Sequence, residues 1–198
     1  MTAPATGRRE ATKEANRAAI LAAGRDVFAQ LGYGASTVRD IIRRTDLASG
    51  TFYNYFPDKE SVFRAILAES AVEMRARVRA ARRDATSIEH FVGDAYRAYF
   101  TFCAEDPSTF ALMRRNAGTI RAMRDDPSML AALEELHEDL EDAMARGDLP
   151  PFDLDYLTAA MAGVALEVAM LMVDRDPVDI DGASAFATRL FLAALGPA

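Results

Sequence analysis

Within residues 49–60, SGTFYNYFPDKE, three residues of different chemistry fall at helical spacing. Asn54 has a donor and an acceptor that match the edge of an adenine. Tyr53 has a hydroxyl for a phosphate oxygen and a ring for a thymine methyl. Gly50, one turn earlier, has no side chain, so backbone can come close to whatever the stretch meets. This is equipment for reading a DNA groove rather than for making or breaking bonds. Thr37 and Lys59 stand at expected helix starts, where free backbone N–H groups and the helix dipole attract phosphate. Lys59 adds a full positive charge. Arg8 and Arg9, near the N-terminus, suit a minor groove, as basic arms do.

These residues need elements to hold them. At about 100° per residue, Phe52, Tyr55 and Phe56 share one helical face. Gly50 and Asn54 lie opposite, flanked by Thr51 and Tyr53. Upstream, Thr37 to Asp40 forms a capping box with Asp in place of Glu. Val38, Ile41 and Ile42 line one face of the short helix that follows, and Asp46 and Leu47 fall in a turn. Short helix, tight turn, short helix is a helix-turn-helix, whose second helix can enter a major groove. The same spacing also fits a plain three-helix subdomain with an exposed tyrosine, because short-turn helix pairs are common in all-α proteins.

Helical periodicity continues along the whole chain, and strand-like alternation is almost absent. The expected class is all-α with about nine helices. They cover 12–31, the pair just described, 58–83 capped by Asp58, 88–105, two that start at Pro107 and Pro127 behind Asp106 and Asp126, 154–175 and 182–195. Residues 1–11 are expected as a flexible tail, 12–57 as a three-helix helix-turn-helix domain, and 58–198 as a larger helical domain. At ~1.5 Å per residue the 58–83 helix would span ~39 Å.

The chain has 198 residues and a formal net charge of −7. Residues 1–60 hold nine basic and seven acidic side chains, while the remainder holds 14 and 23. A weakly basic front on an acidic body confines polyanion contact to one end. No apolar run is expected to approach the ~20 residues that span a bilayer, so no membrane partner is expected. The N-terminus lacks the apolar stretch of a secretory signal. Cys103 is alone, which excludes an intrachain disulfide and fits a reducing, cytoplasmic setting.

The string GTFYNYFPDKESVF, Gly50 to Phe63, preceded by AILAAGRDVFAQLGYGASTVRDI, resembles the TetR/AcrR family of bacterial transcriptional regulators. The resemblance covers about residues 18–67. It implies a homodimer with two DNA-binding heads, a palindromic double-stranded DNA operator, and a small effector that releases the protein from it. It also implies that the last two helices meet their copies in a four-helix bundle. Carried over by position, Thr37, Ser49, Gly50, Thr51, Tyr53, Asn54, Tyr55 and Lys59 are the DNA contacts. The chain departs from the family pattern at Ala48-Ser49, where Ser-Lys is common. It departs also at Asp46, a frequent turn glycine, and at Asn54, a frequent histidine.

In the body, LDYLTAAMAGVALEVAMLMVDR (154–175) is apolar on nearly all sides, as a fully buried helix would be. Phe186, Leu190, Phe191 and Ala194 form a stripe on the last helix. Phe91, Tyr96, Tyr99, Phe100, Phe102, Phe110, Met113 and Met161 are candidates to line a ligand pocket, or to form ordinary core. Asn116 and Glu167 are polar candidates for the same pocket, with Glu167 alternatively at the dimer seam. Such a lining predicts an apolar effector, such as an acyl chain or a hydrophobic drug-like compound. Glu134 and His137 have the Glu-x-x-His spacing of di-iron bundles, yet His90 is the only other histidine. Neither a metal, nor a cofactor, nor a catalytic residue is assigned. The competing functions are a metal-dependent helical-bundle enzyme on His137 and His90, and a helical interaction module that does not bind DNA.

Overall fold

A computed structural model describes the backbone of residues 5–83, 85–123 and 127–195, and their side chains save those of 5–8, 121, 128, 129 and 195. Among the described residues there are ten helices and no strand. They are α1 (Ala5–Leu31), α2 (Val38–Ile42), α3 (Ser49–Tyr53), α4 (Lys59–Arg83), α5 (Ile88–Glu105), α6 (Pro107–Arg115), α7 (Ala117–Ala122), α8 (Pro127–Arg146), α9 (Leu154–Val173) and α10 (Ile180–Leu195). The extra helix arises because the segment after Pro107 breaks at Asn116. Helix α1 starts at Ala5 and takes in most of the segment expected as a tail. The side chain of Arg8, and Asp126, lie outside the described residues.

The chain divides into two compact units, Met1–Glu69 with Ala111–Ala122, and Ser70–Phe110 with Met123–Ala198. The head therefore takes a piece of sequence from far downstream, which the expected boundary at residue 57 left out.

In the first unit, Ile20, Val27, Phe28, Ile41, Phe52, Val62, Phe63 and Ile66 are almost wholly buried. Phe28 meets Phe63 edge to face at 5.1 Å between ring centroids. Helix α1 packs tightly against α4 at Gly24, where a Cβ would lie 2.8 Å from Val62 Cγ1. Gly32, at φ +79°, ends α1 in the left-handed conformation that glycine alone adopts without strain.

In the second unit, α5 is the central helix and packs on α9 and α10. Tyr96 stacks on Phe100 and Phe191 at 5.8 and 5.9 Å, and its hydroxyl donates to Met161 O at 3.1 Å. Arg75 and Arg79 of α4 are ion-paired to Glu135 of α8, and Arg82 to Asp139 at 3.0 Å.

Helix α9 departs from two expectations. It is not fully buried within one chain: Tyr156 and Leu171 are 77% and 69% exposed. It is also long and apolar enough to cross a membrane by length and composition, against the expectation that no run comes close. Asp155 and Glu167 interrupt the stretch, so no uninterrupted apolar run of that length stands in the sequence. Only 22% of its most apolar window is buried, so a wide apolar surface is left uncovered by the chain's own core.

Candidate nucleic-acid interface

The head positions its outward residues by capping and by aromatic anchoring. Thr37 is the N-cap of α2, and its hydroxyl oxygen accepts the Asp40 N–H at 3.3 Å. The Asp40 carboxylate in return accepts the Thr37 N–H at 2.9 Å and the Thr37 hydroxyl at 2.6 Å. These bonds hold the Asp40 carboxyl below the usual carboxylate range. Thr37 thus starts the helix while remaining exposed.

Helix α3 hangs on Phe52 and Phe56, which are 1% and 6% exposed. The opposite side is open. Ser49, Gly50, Tyr53 and Asn54 are exposed, Thr51 is half-buried, and a Cβ at Gly50 would meet nothing within 4 Å. Tyr53 is 57% exposed, yet its ring rests edge-on against Phe52 at 5.4 Å. The tyrosine is held at its base and free at its hydroxyl end. Helix α3 stops at Tyr53, so Asn54 is its C-cap and lies at the helix end rather than in mid-helix.

Two of the expected contacts have structural roles as well. Lys59 Nζ donates to Tyr33 O at 2.7 Å and to Ser36 O at 2.9 Å, and lies 4.5 Å from the centre of the Tyr33 ring. It clamps the corner between α1 and α2. Tyr55 is half-buried, and its hydroxyl accepts from Asn16 Nδ2 on α1 at 3.3 Å. Arg39 and Arg43, on and just after α2, are exposed cations near the same helix pair and were not singled out from the sequence. The run RDIIRR could have flagged them.

The candidate pocket residues do not come together as one set. Tyr96, Phe100, Phe102, Phe110 and Met161 belong to the packed core of the second unit, with Phe91 and Tyr99 against it. Burial pushes the Tyr96 and Tyr99 phenols up, and pushes the Cys103 thiol up to about 12. Met113 and Asn116 belong to the first unit. The Asn116 amide is occupied by backbone groups: Nδ2 donates to Phe28 O and Leu112 O, and Oδ1 accepts the Tyr33 N–H. Glu167 is exposed on α9 rather than buried. An open groove of about 360 Å³ lies instead between α8 and α9, lined by Leu133, Glu134, His137, Glu138, Asp155, Thr158 and Ala159. Among the described residues, no three His, Cys, Asp or Glu side chains converge as metal ligands.

The family model described as "Bacterial regulatory proteins, tetR family" matches residues 20–66, which span this interface. The HTH-type transcriptional regulator YhgD of Bacillus subtilis is 26% identical over 145 residues, covering 72% of this chain and 76% of its own length. Among solved structures, the fatty acid degradation regulator FadR from Bacillus halodurans superposes with a TM-score of 0.78 at 23% identity, covering 90% of this chain and 95% of its own. FadR from Bacillus subtilis, solved in complex with stearoyl-CoA, gives a TM-score of 0.78 at 19% identity over 90% and 98%.

Proposed function

We propose that this chain is a tetR-type DNA-binding transcriptional regulator, a cytoplasmic repressor without catalytic activity. It holds a palindromic operator as a homodimer and releases it when a small apolar effector binds. The observation that carries this is the two-sided α3: Phe52 and Phe56 inward, Gly50, Tyr53 and Asn54 outward. A recognition helix needs that division, one face packed and one free for base edges. Ser49, Thr51 and Tyr55 flank it, and Thr37 and Lys59 supply phosphate contacts beside their structural bonds.

The dimer forms through α9 and α10. Their exposed Tyr156, Leu171, Phe186 and Leu190 make an apolar surface of the kind that a second copy covers. A soluble partner helix pair fits better than lipid, because Glu167 sits exposed in the middle of α9.

The effector is an acyl chain or similar apolar molecule. Tyr96, Tyr99, Phe100, Phe110 and Met161, with Phe91, supply the apolar wall that such a chain needs. The stearoyl-CoA held by the Bacillus subtilis FadR structure points the same way. The effector acts by binding one conformer of the dimer better than the other. Half-sites one helical turn apart, ~34–36 Å, tolerate little change in the spacing of two heads. Gel shift with the DNA upstream of the protein's own reading frame, with and without acyl-CoA thioesters, tests the proposal. Binding that no acyl compound relieves would refute the effector, and no specific shift would refute the operator.

A further inference from the structure

Each of the last two helices carries one charge inside its exposed apolar stripe, and the two charges have opposite sign. At about 100° per residue, Tyr156, Ala160, Gly163, Glu167 and Leu171 share one side of α9, and all are exposed. Glu167 is the one charged residue of α9 beyond its first turn, with Gly163 a turn before it and Leu171 a turn after. On α10, Ala185, Phe186, Arg189, Leu190 and Ala193 are exposed on one face. Arg189 is the one cation of that helix and stands between Ala185 and Ala193 around its axis. Its Nε donates to Ala185 O at 3.3 Å, and among the described residues no carboxylate is ion-paired with it.

A second copy laid on these stripes would bury both charges. A charge is tolerated in such a seam only when an opposite charge meets it with good hydrogen-bond geometry. A two-fold dimer is self-complementary, so what α9 of one copy meets on α10 of the other is met again in reverse. One acid and one base on each chain therefore supply two pairs. Helices α9 and α10 pack on each other and are joined by residues 174–179. At ~1.5 Å per residue, Glu167 lies ~9 Å before the end of α9 and Arg189 ~14 Å after the start of α10. Measured from the connection they differ in level by about one helical turn, which the long stem of an arginine spans. A carboxylate accepts about four hydrogen bonds, so contacts within its own chain leave Glu167 room for a guanidinium.

We propose that in the homodimer Glu167 of each chain forms an ion pair with Arg189 of the partner subunit, and that these two pairs set the register in which the apolar faces meet. An arginine fork matches a carboxylate through two parallel N–H···O bonds. The pair presupposes the α9–α10 dimer proposed above and gives that face its selectivity. An unrelated apolar helix pair would leave both charges buried and unmatched, so the face favours its own copy.

Sedimentation velocity of the full-length protein and its charge-swapped variants tests this. Glu167→Arg and Arg189→Glu each set like charges together twice per dimer, and each should raise the dimer dissociation constant at least about a hundredfold. Coexpressing the two variants restores opposite charges at both places only in the heterodimer. A Glu167→Arg chain should therefore assemble with an Arg189→Glu chain in preference to its own kind. The doubly swapped E167R/R189E should dimerise as the native chain does. Both side chains are exposed, so helix content should be unchanged, as circular dichroism would verify. Single swaps that dimerise as tightly as the native chain would overturn the pair while leaving the α9–α10 dimer standing. So would an absence of preference for the heterodimer, or a doubly swapped chain that stays monomeric. A native protein that is monomeric at micromolar concentration would instead overturn the dimer itself, and the pair with it.

Discussion

The Asn116 side-chain carbonyl accepts the Tyr33 backbone N–H at 2.6 Å across 83 residues of sequence. The same amide donates to Phe28 O at 3.2 Å and Leu112 O at 2.7 Å. Only one orientation of the amide satisfies two acceptors and one donor, so the side chain is locked at the break between α6 and α7. It fastens that break to the end of α1. Asn116→Leu leaves the Tyr33 N–H without its partner, while Phe28 O and Leu112 O keep their backbone bonds, and is expected to destabilise the fold by about 1–3 kcal/mol. Thermal unfolding measures this, and a melting temperature equal to the native one would show that the latch is dispensable.

Glycines at 24 and 50 should respond in opposite ways. A Cβ at Gly24 would lie 2.8 Å from Val62 Cγ1 and 3.1 Å from Ile66 Cδ1, both in the packed core. Gly24→Val is therefore expected to destabilise by about 1–3 kcal/mol or more. A Cβ at Gly50 meets nothing. Gly50→Ala should raise stability by about 0.5–1 kcal/mol through helix propensity. It should also lower operator affinity, because the methyl stands where DNA approaches. Denaturant midpoints and gel shifts on the two variants separate the effects.

Lys59 shows where reading by type and position ends. As a cation at a helix start it suits phosphate, but its ammonium is bonded to Tyr33 O and Ser36 O. Lys59→Met should lower both the melting temperature and the operator affinity. A pure phosphate contact would lower affinity alone and flatten its dependence on salt by about one unit of slope.

Cys103 is buried and should be inert. Burial pushes its thiol up to about 12, so almost no thiolate exists at neutral pH. Iodoacetamide should label it only on unfolding. The expected sign is a labelling rate that tracks the unfolded fraction and, at a fixed unfolded fraction, rises with pH as the thiol of an unfolded chain ionises.

Much of the head was legible because its cues are local. Thr37 and Asp40 carry a capping box in four residues, and Phe52 and Phe56 mark the packed face by helical period. The Asn116 latch and the Asn16–Tyr55 bond were not legible, because they join positions far apart in sequence. The body was harder for a different reason. Aromatic residues at helical spacing look alike whether they fill a core or wall a cavity, and Tyr96 and Phe100 stack on each other. Glu167 stands out as a lone carboxylate in an apolar helix, and the sequence offers it either to the pocket or to the dimer seam. It is exposed because α9 keeps one side clear of the chain's own core.

The most direct test of the central claim is fluorescence anisotropy with operator DNA and the double variant Tyr53→Ala/Asn54→Ala. Both side chains are exposed, so melting should be close to native, while specific affinity should fall about a hundredfold towards nonspecific binding. Undiminished specific binding by a folded variant would contradict the assignment of this α3 face to DNA.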